Sequence, residues 1–268
     1  MKFFVVDKLE QFLSEFDKYK NSGHCYFRGQ ADANWDITPG LARNKDKMIY
    51  AEIIEIEQKL FTKFKEKVFE KNLNDLIPII KNSYHESWQW LMAAQHYGLP
   101  TRLLDFSHDK YSALEFAVAD LQKLNVDGAL IIYCDINSIQ EEDTSPILTN
   151  VFATSHKTFF FPAPIFKKHK CNEPKLSETR KFIQGSKFLY RETPKITECL
   201  ALDHNHSYKL TKIHISKELK PAIIEYLIEE RRFSFDIYAG KNAIDYHAAI
   251  LKNEFLNLET KTVDNFLN

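Results

Sequence analysis

Apolar residues recur every three or four positions over some stretches of the chain, and alternate or run on over others. Leu9, Phe12, Leu13 and Phe16 share one side of a helix predicted over 7–20, which Asn21-Ser22-Gly23 ends. Ile49, Ile53, Ile56, Leu60, Phe64 and Val68 mark the longest helix, from about Met48 to Glu70, whose other face carries charges suited to water. A third helix is expected over roughly 84–97, with Trp88, Leu91 and Met92 facing inward. A fourth begins at Asp109, a suitable N-cap, and carries Leu114, Ala117, Val118, Leu121 and Leu124 at core spacing. Two more are expected, from Ser216 to about Arg231 and over 241–257.

Strand patterns lie between these helices. Cys25–Gln30 reads as a short strand, Thr101–Ser107 alternates, and Ala129–Cys134 is a continuous apolar run suited to burial on both faces. Thr179–Tyr190 reads as a strand or hairpin bent at Gly185, and Lys209–Ile215 as another strand. Phe159–Pro164 is extended and fits a strand edge, a stacking surface or core. The expected fold is a single α+β domain over 1–258, with a central mixed or antiparallel sheet flanked by helices, and a frayed tail at 259–268. Neither a repeat nor a low-complexity linker divides the chain.

Composition narrows the function classes. Among 268 residues, 36 are basic and 37 acidic, so no global field draws in nucleic acid or an anionic membrane. The 4 cysteines are far apart with no CxxC pair, which argues against a cysteine zinc site or a disulfide scaffold and fits a reducing cytoplasm. No run approaches the roughly 20 apolar residues of a membrane span, and Asp7 comes too early for a signal peptide. A soluble, cytoplasmic protein is expected. With 7 glycines and neither GxGxxG nor GxxxxGK[ST], dinucleotide-fold and P-loop readings are disfavoured. His214 has no HxH or HExxH neighbour, and no metal is expected.

The candidate chemistry concentrates in Gln95–Ser107. Gln95 and His96 extend the apolar stripe of the third helix and need polar partners; Gly98 and Pro100 then stop that helix. Asp105 and Ser107 share one strand face beside a helix N-terminus, a suitable place for a polar ligand. Earlier, Tyr26 and Arg28 share a face of their strand. Gly29 leaves room for a ligand near the backbone, and the Arg28 fork suits phosphate or carboxylate. The plainer reading is an Arg28–Asp105 ion pair with Gln95 and His96 satisfying backbone groups.

Three separated pieces carry a resemblance. Tyr26-Phe27-Arg28-Gly29-Gln30, Ala94–Ser107 and Arg180–Phe188 resemble, in order, the motifs of the FRG domain, spread over about 20–250. The second ends Asp105-Phe106-Ser107 where the family usually has Asp-Trp-Thr, and the third is one residue short between Gln184 and Gly185. Arg28-Gly29, and Asp105-Phe106-Ser107 with the helix after it, also resemble the first two elements of the ADP-ribosyltransferase core. That core ends in a strand with a catalytic Glu; here Gln184 stands near its place, and Glu178 lies six residues earlier.

The resemblance implies an ADP-ribosyltransferase-like α+β fold that binds NAD or a related nucleotide and transfers or hydrolyses ADP-ribose, in the manner of a bacterial toxin or anti-phage effector. It implies Arg28, Asp105 and Gln184 as catalytic, and Tyr26, Arg28, Gly29, Gln95, His96, Tyr97, Arg102 and Ser107 around the nucleotide. A protein or nucleic acid would be the acceptor, with no membrane partner. The rival expectation is a non-catalytic module that recognises a nucleotide or nucleic-acid end beside a partner protein.

Overall fold

The computed structural model describes residues 1–19, 25–43, 48–72, 86–135, 159–162, 186–190, 199–202 and 208–230. Seven strands form one sheet: β1 (Lys2–Val6), β2 (Cys25–Gln30), β3 (Leu103–Ser107), β4 (Gly128–Asp135), β5 (Phe159–Pro162), β6 (Ser186–Tyr190) and β7 (Tyr208–Ile215). Their spatial order is β1-β7-β4-β2-β3-β6-β5. Only β1 and β7 run parallel, so the sheet is mixed. Five α-helices accompany it among the described residues: α1 (Leu9–Phe16), α2 (Tyr50–Glu70), α3 (Glu86–His96), α4 (Lys110–Val118) and α5 (Lys220–Glu229).

The alternation of side chains sorts the core into layers. On one face, Phe27, Leu130, Ile132, Ile213 and Ile215 meet apolar residues of α1, α4 and α5. Leu103, Phe188 and Tyr190 meet α2 and α3. The opposite face carries Leu104, Phe106, Ala129, Ile131, Tyr133 and Leu189 under Ile37 and Leu200.

Helix α3 ends as its sequence dictates. Gly98 sits at φ +94°, the Leu99 N–H donates to the Ala94 carbonyl at 2.9 Å, and the Gly98 N–H donates to Gln95 at 2.9 Å, a Schellman stop. Helix α4 starts where expected: the Asp109 carboxylate accepts from the Tyr111 and Ser112 N–H groups, both at 3.2 Å. Asp109→Ala is expected to lower stability by about 1 kcal/mol in urea unfolding, with an unchanged circular dichroism spectrum.

Three features depart from the sequence reading. Lys2–Val6 is a strand, since a four-residue apolar run, Phe3–Val6, carries no period that separates strand from helix. Helix α4 ends at Val118 and does not reach Leu124; Asp120 turns its side chain onto the Gln122 N–H at 3.0 Å and opens a separate 3-10 turn, Leu121–Lys123. Phe159–Pro162 forms β5 at one edge of the sheet. Finally, Cys25 lies opposite Cys134 on the β2–β4 ladder and the two form a disulfide across 109 residues of sequence, correcting the expectation of unpaired cysteines. Register, which no spacing rule reveals, sets that pairing, and it removes the cysteine argument for a reducing compartment. Among the described residues no helix is long and apolar enough to cross a membrane. The helix expected over 241–257, the segment Thr179–Gly185 and the tail at 259–268 lie outside the described residues.

Candidate functional site

Strands β2 and β3 are joined at a single residue pair, Phe27 opposite Ser107, whereas β3 is laddered to β6 over all five of its residues. Where the β2 ladder stops, Arg28 takes its place: Nη1 donates to the Asp105 carbonyl oxygen at 2.6 Å. A side chain thus satisfies a strand carbonyl that a neighbouring N–H would otherwise meet. The Asp105 side chain is exposed, and α3 holds it from the side. Gln95 Nε2 donates to Asp105 Oδ1 at 2.7 Å, and Gln95 Oε1 accepts from the Thr101 hydroxyl. Thr101 Oγ1 accepts in turn from the Leu103 N–H at 3.2 Å. This chain of donors fixes which way the Gln95 amide faces and aims one N–H at the carboxylate.

A second arginine lies within electrostatic range of the same acid. Arg43 follows the 3-10 turn Gly40–Ala42, whose Leu41 N–H is anchored on the Thr101 carbonyl at 3.1 Å. Its Nε donates to the Thr38 carbonyl at 3.3 Å. Burial pulls the Arg28 pKa down to about 10; Asp105 resists that shift and Arg43 adds to it. Arg43 is also lowered, by burial against the pull of Asp105. With a pKa near 10, Arg28 remains a cation at neutral pH. Of the five N–H donors in each guanidinium, Arg28 uses one and Arg43 one in hydrogen bonds among the described residues, and the buried Arg28 Nε has no partner.

Along β2, Tyr26 shares the Arg28 face, and its ring meets the His108 imidazole at 4.7 Å between centroids. Burial, then Lys187, lowers the His108 pKa, so this exposed ring is neutral at pH 7.

Other expected residues are engaged elsewhere. Arg102 is fully buried; its Nε and Nη2 lie 2.5 Å from Glu57 Oε2, and its backbone N–H donates to Glu57 Oε1 at 2.8 Å. It does not face the Arg28 cluster as a free cation. Tyr97 is buried in the α2–α3 core. Ser107 is buried and its hydroxyl accepts from the Asp109 N–H at 2.9 Å, stabilising the turn into α4. Gly29 serves packing, not a ligand: a Cβ there would lie 1.9 Å from the Ala113 carbonyl oxygen. His96 occupies the last position of α3. Gln184 lies outside the described residues.

Sequence reasoning missed Arg43, His108 and Glu57. His108 had one available signal, its place directly after Ser107 at the mouth of the β3–α4 turn; Arg43 and Glu57 join only through tertiary contact. An apolar surface groove of about 650 Å³ between Leu124, Lys220, Ile224 and Ile228 shares no residue with the cluster. Among the described residues no group of three or more His, Cys, Asp or Glu is placed to hold a metal.

The β2–β3 seam therefore defines a polar, cation-rich site on a mixed α+β sheet. The FRG domain family model matches residues 23–125, so that stretch is similar to an FRG domain. That span runs from β2 through α4 and contains Tyr26, Arg28, Arg43, Gln95, Thr101, Asp105 and His108. The match stops short of the third motif at Arg180–Phe188. No curated protein and no solved structure matches the chain.

Proposed function

We propose that this FRG-like domain binds an anionic nucleotide of the NAD class at the β2–β3 seam, with Arg28 and Arg43 on its phosphates and Asp105 toward its ribose. One observation carries this reading: Arg28 donates to the backbone oxygen of Asp105, Arg43 lies within electrostatic range of the same residue, and among the described residues each guanidinium makes one hydrogen bond. The buried Arg28 Nε without a partner and the N–H groups unspent among the described residues suit a phosphate, which guanidinium groups bind through parallel hydrogen bonds.

The same arrangement supports chemistry on the nicotinamide–ribose bond. Cleavage of that bond builds positive charge on the ribose ring, and a preset carboxylate facing the ring stabilises it. Asp105 is held for that role by Gln95, which is itself locked by Thr101. Transfer to an acceptor, or hydrolysis, would follow from what reaches the ribose.

Titration calorimetry with NAD tests binding, and chromatographic detection of nicotinamide tests turnover. Arg28→Ala is expected to weaken NAD binding at least about tenfold, the loss of one charge-assisted bond. Wild-type protein that binds NAD no more tightly than Arg28→Ala overturns the proposal. Binding without nicotinamide release, with or without added protein or nucleic acid, assigns a recognition module and removes the catalytic reading.

A further inference from the structure

We infer that the His108 imidazole, resting on Tyr26, is the platform on which the aromatic ring of the bound nucleotide stacks. This rests on the phosphate reading of Arg28 and Arg43 and adds the ligand's second half. Tyr26 is half-buried and Phe27, beside it, pins the strand to Ser107. His108 lies over Tyr26 with ring centroids 4.7 Å apart and planes 38° apart, yet it is itself exposed. Tyr26 in turn contacts Tyr133 at 6.5 Å, and Tyr133 stacks on Tyr208 at 4.3 Å, so a column of rings supports the imidazole from within the sheet.

An exposed ring on a rigid column is placed to accept one more ring. A neutral imidazole stacks on a base without the desolvation cost of a charge, and burial, with the nearby Lys187, lowers the His108 pKa. Register links the platform to the phosphate subsite: Tyr26 and Arg28 are two residues apart on one strand face, a spacing of about 7 Å. A phosphate on Arg28 and a base on His108 would then belong to one mononucleotide unit. Because stacking requires no hydrogen bond to a particular base edge, the platform selects for a planar ring, not for one base.

Calorimetry with two probes, NAD and inorganic pyrophosphate, separates ring from phosphate. His108→Ala is expected to weaken NAD binding about tenfold, the usual worth of one base–aromatic stack, and to leave pyrophosphate unchanged. His108→Phe is expected to retain NAD binding, and Arg28→Ala to weaken both probes. If Arg28→Ala weakens NAD but His108→Ala does not, the platform is overturned and the phosphate subsite stands. Equal loss of NAD binding in His108→Ala and His108→Phe also overturns the platform, whether or not pyrophosphate binding is measurable. A wild-type protein that binds neither probe overturns both readings together.

Discussion

Gly29→Ala is expected to destabilise the fold by at least about 3 kcal/mol, beyond the usual cost of one added methyl group in a packed core. The added Cβ would lie 1.9 Å from the Ala113 carbonyl oxygen and 2.7 Å from the Ala117 backbone nitrogen. Both are backbone atoms of α4, so no rotamer change relieves the contact and the whole helix must lift off the sheet. Lifting it exposes Phe27, Leu114 and Val118, which close the core beneath. Gly128, on the neighbouring strand, meets the Ala117 carbonyl at 2.4 Å in the same way, so two glycines form one seat for the helix. Urea unfolding and soluble yield measure the effect. Gly98→Ala is the control: nothing lies within 4 Å of its Cβ, and its φ of +94° alone should cost about 1–2 kcal/mol. Similar losses in the two variants would show that α4 does not sit down on Gly29.

That role for Gly29 shows where sequence reading stops. The residue after Arg28 is recognisably special on its strand, but the cause of the vacancy is a helix more than eighty residues later. Local signals fared better. The Schellman stop at Gly98 and the cap at Asp109 need only neighbouring residues, and both stand where the sequence puts them. The meeting of Arg28 with Asp105 followed from motif order, but its form did not: the bond goes to the Asp105 backbone oxygen, because the β2–β3 ladder is one pair long. Arg43 carried no local signal at all, since the anchoring of its turn on Thr101 sets its place. The Cys25–Cys134 bond has the same origin, being a property of register between strands 109 residues apart.

Arg102 separates motif membership from ligand contact, and its partner offers the second large effect. Glu57→Gln is expected to cost about 3–5 kcal/mol of unfolding free energy, because it strands a buried guanidinium without its counter-charge. Glu57 and Arg102 are both about 1% exposed at the side chain, and the acid accepts two hydrogen bonds from Arg102, one of them from its backbone N–H, and Nη2 lies 2.5 Å from Oε2. Burial works against the guanidinium charge, but Glu57 more than compensates, and the Arg102 pKa ends up raised. Tyr190 lies against the same group, with its hydroxyl 3.3 Å from Nη1 and its ring centroid 5.7 Å from the guanidinium carbon. The pair therefore ties α2 to the strand entry that carries Asp105. Removing both charges, as in Glu57→Gln with Arg102→Met, should recover much of the loss, since a filled apolar site needs no counter-ion. Guanidinium unfolding of the single and double variants decides the matter. A single-variant cost below about 1 kcal/mol, the range of exposed pairs, would show that water reaches Arg102. In that case Arg102 would again be open to a ligand.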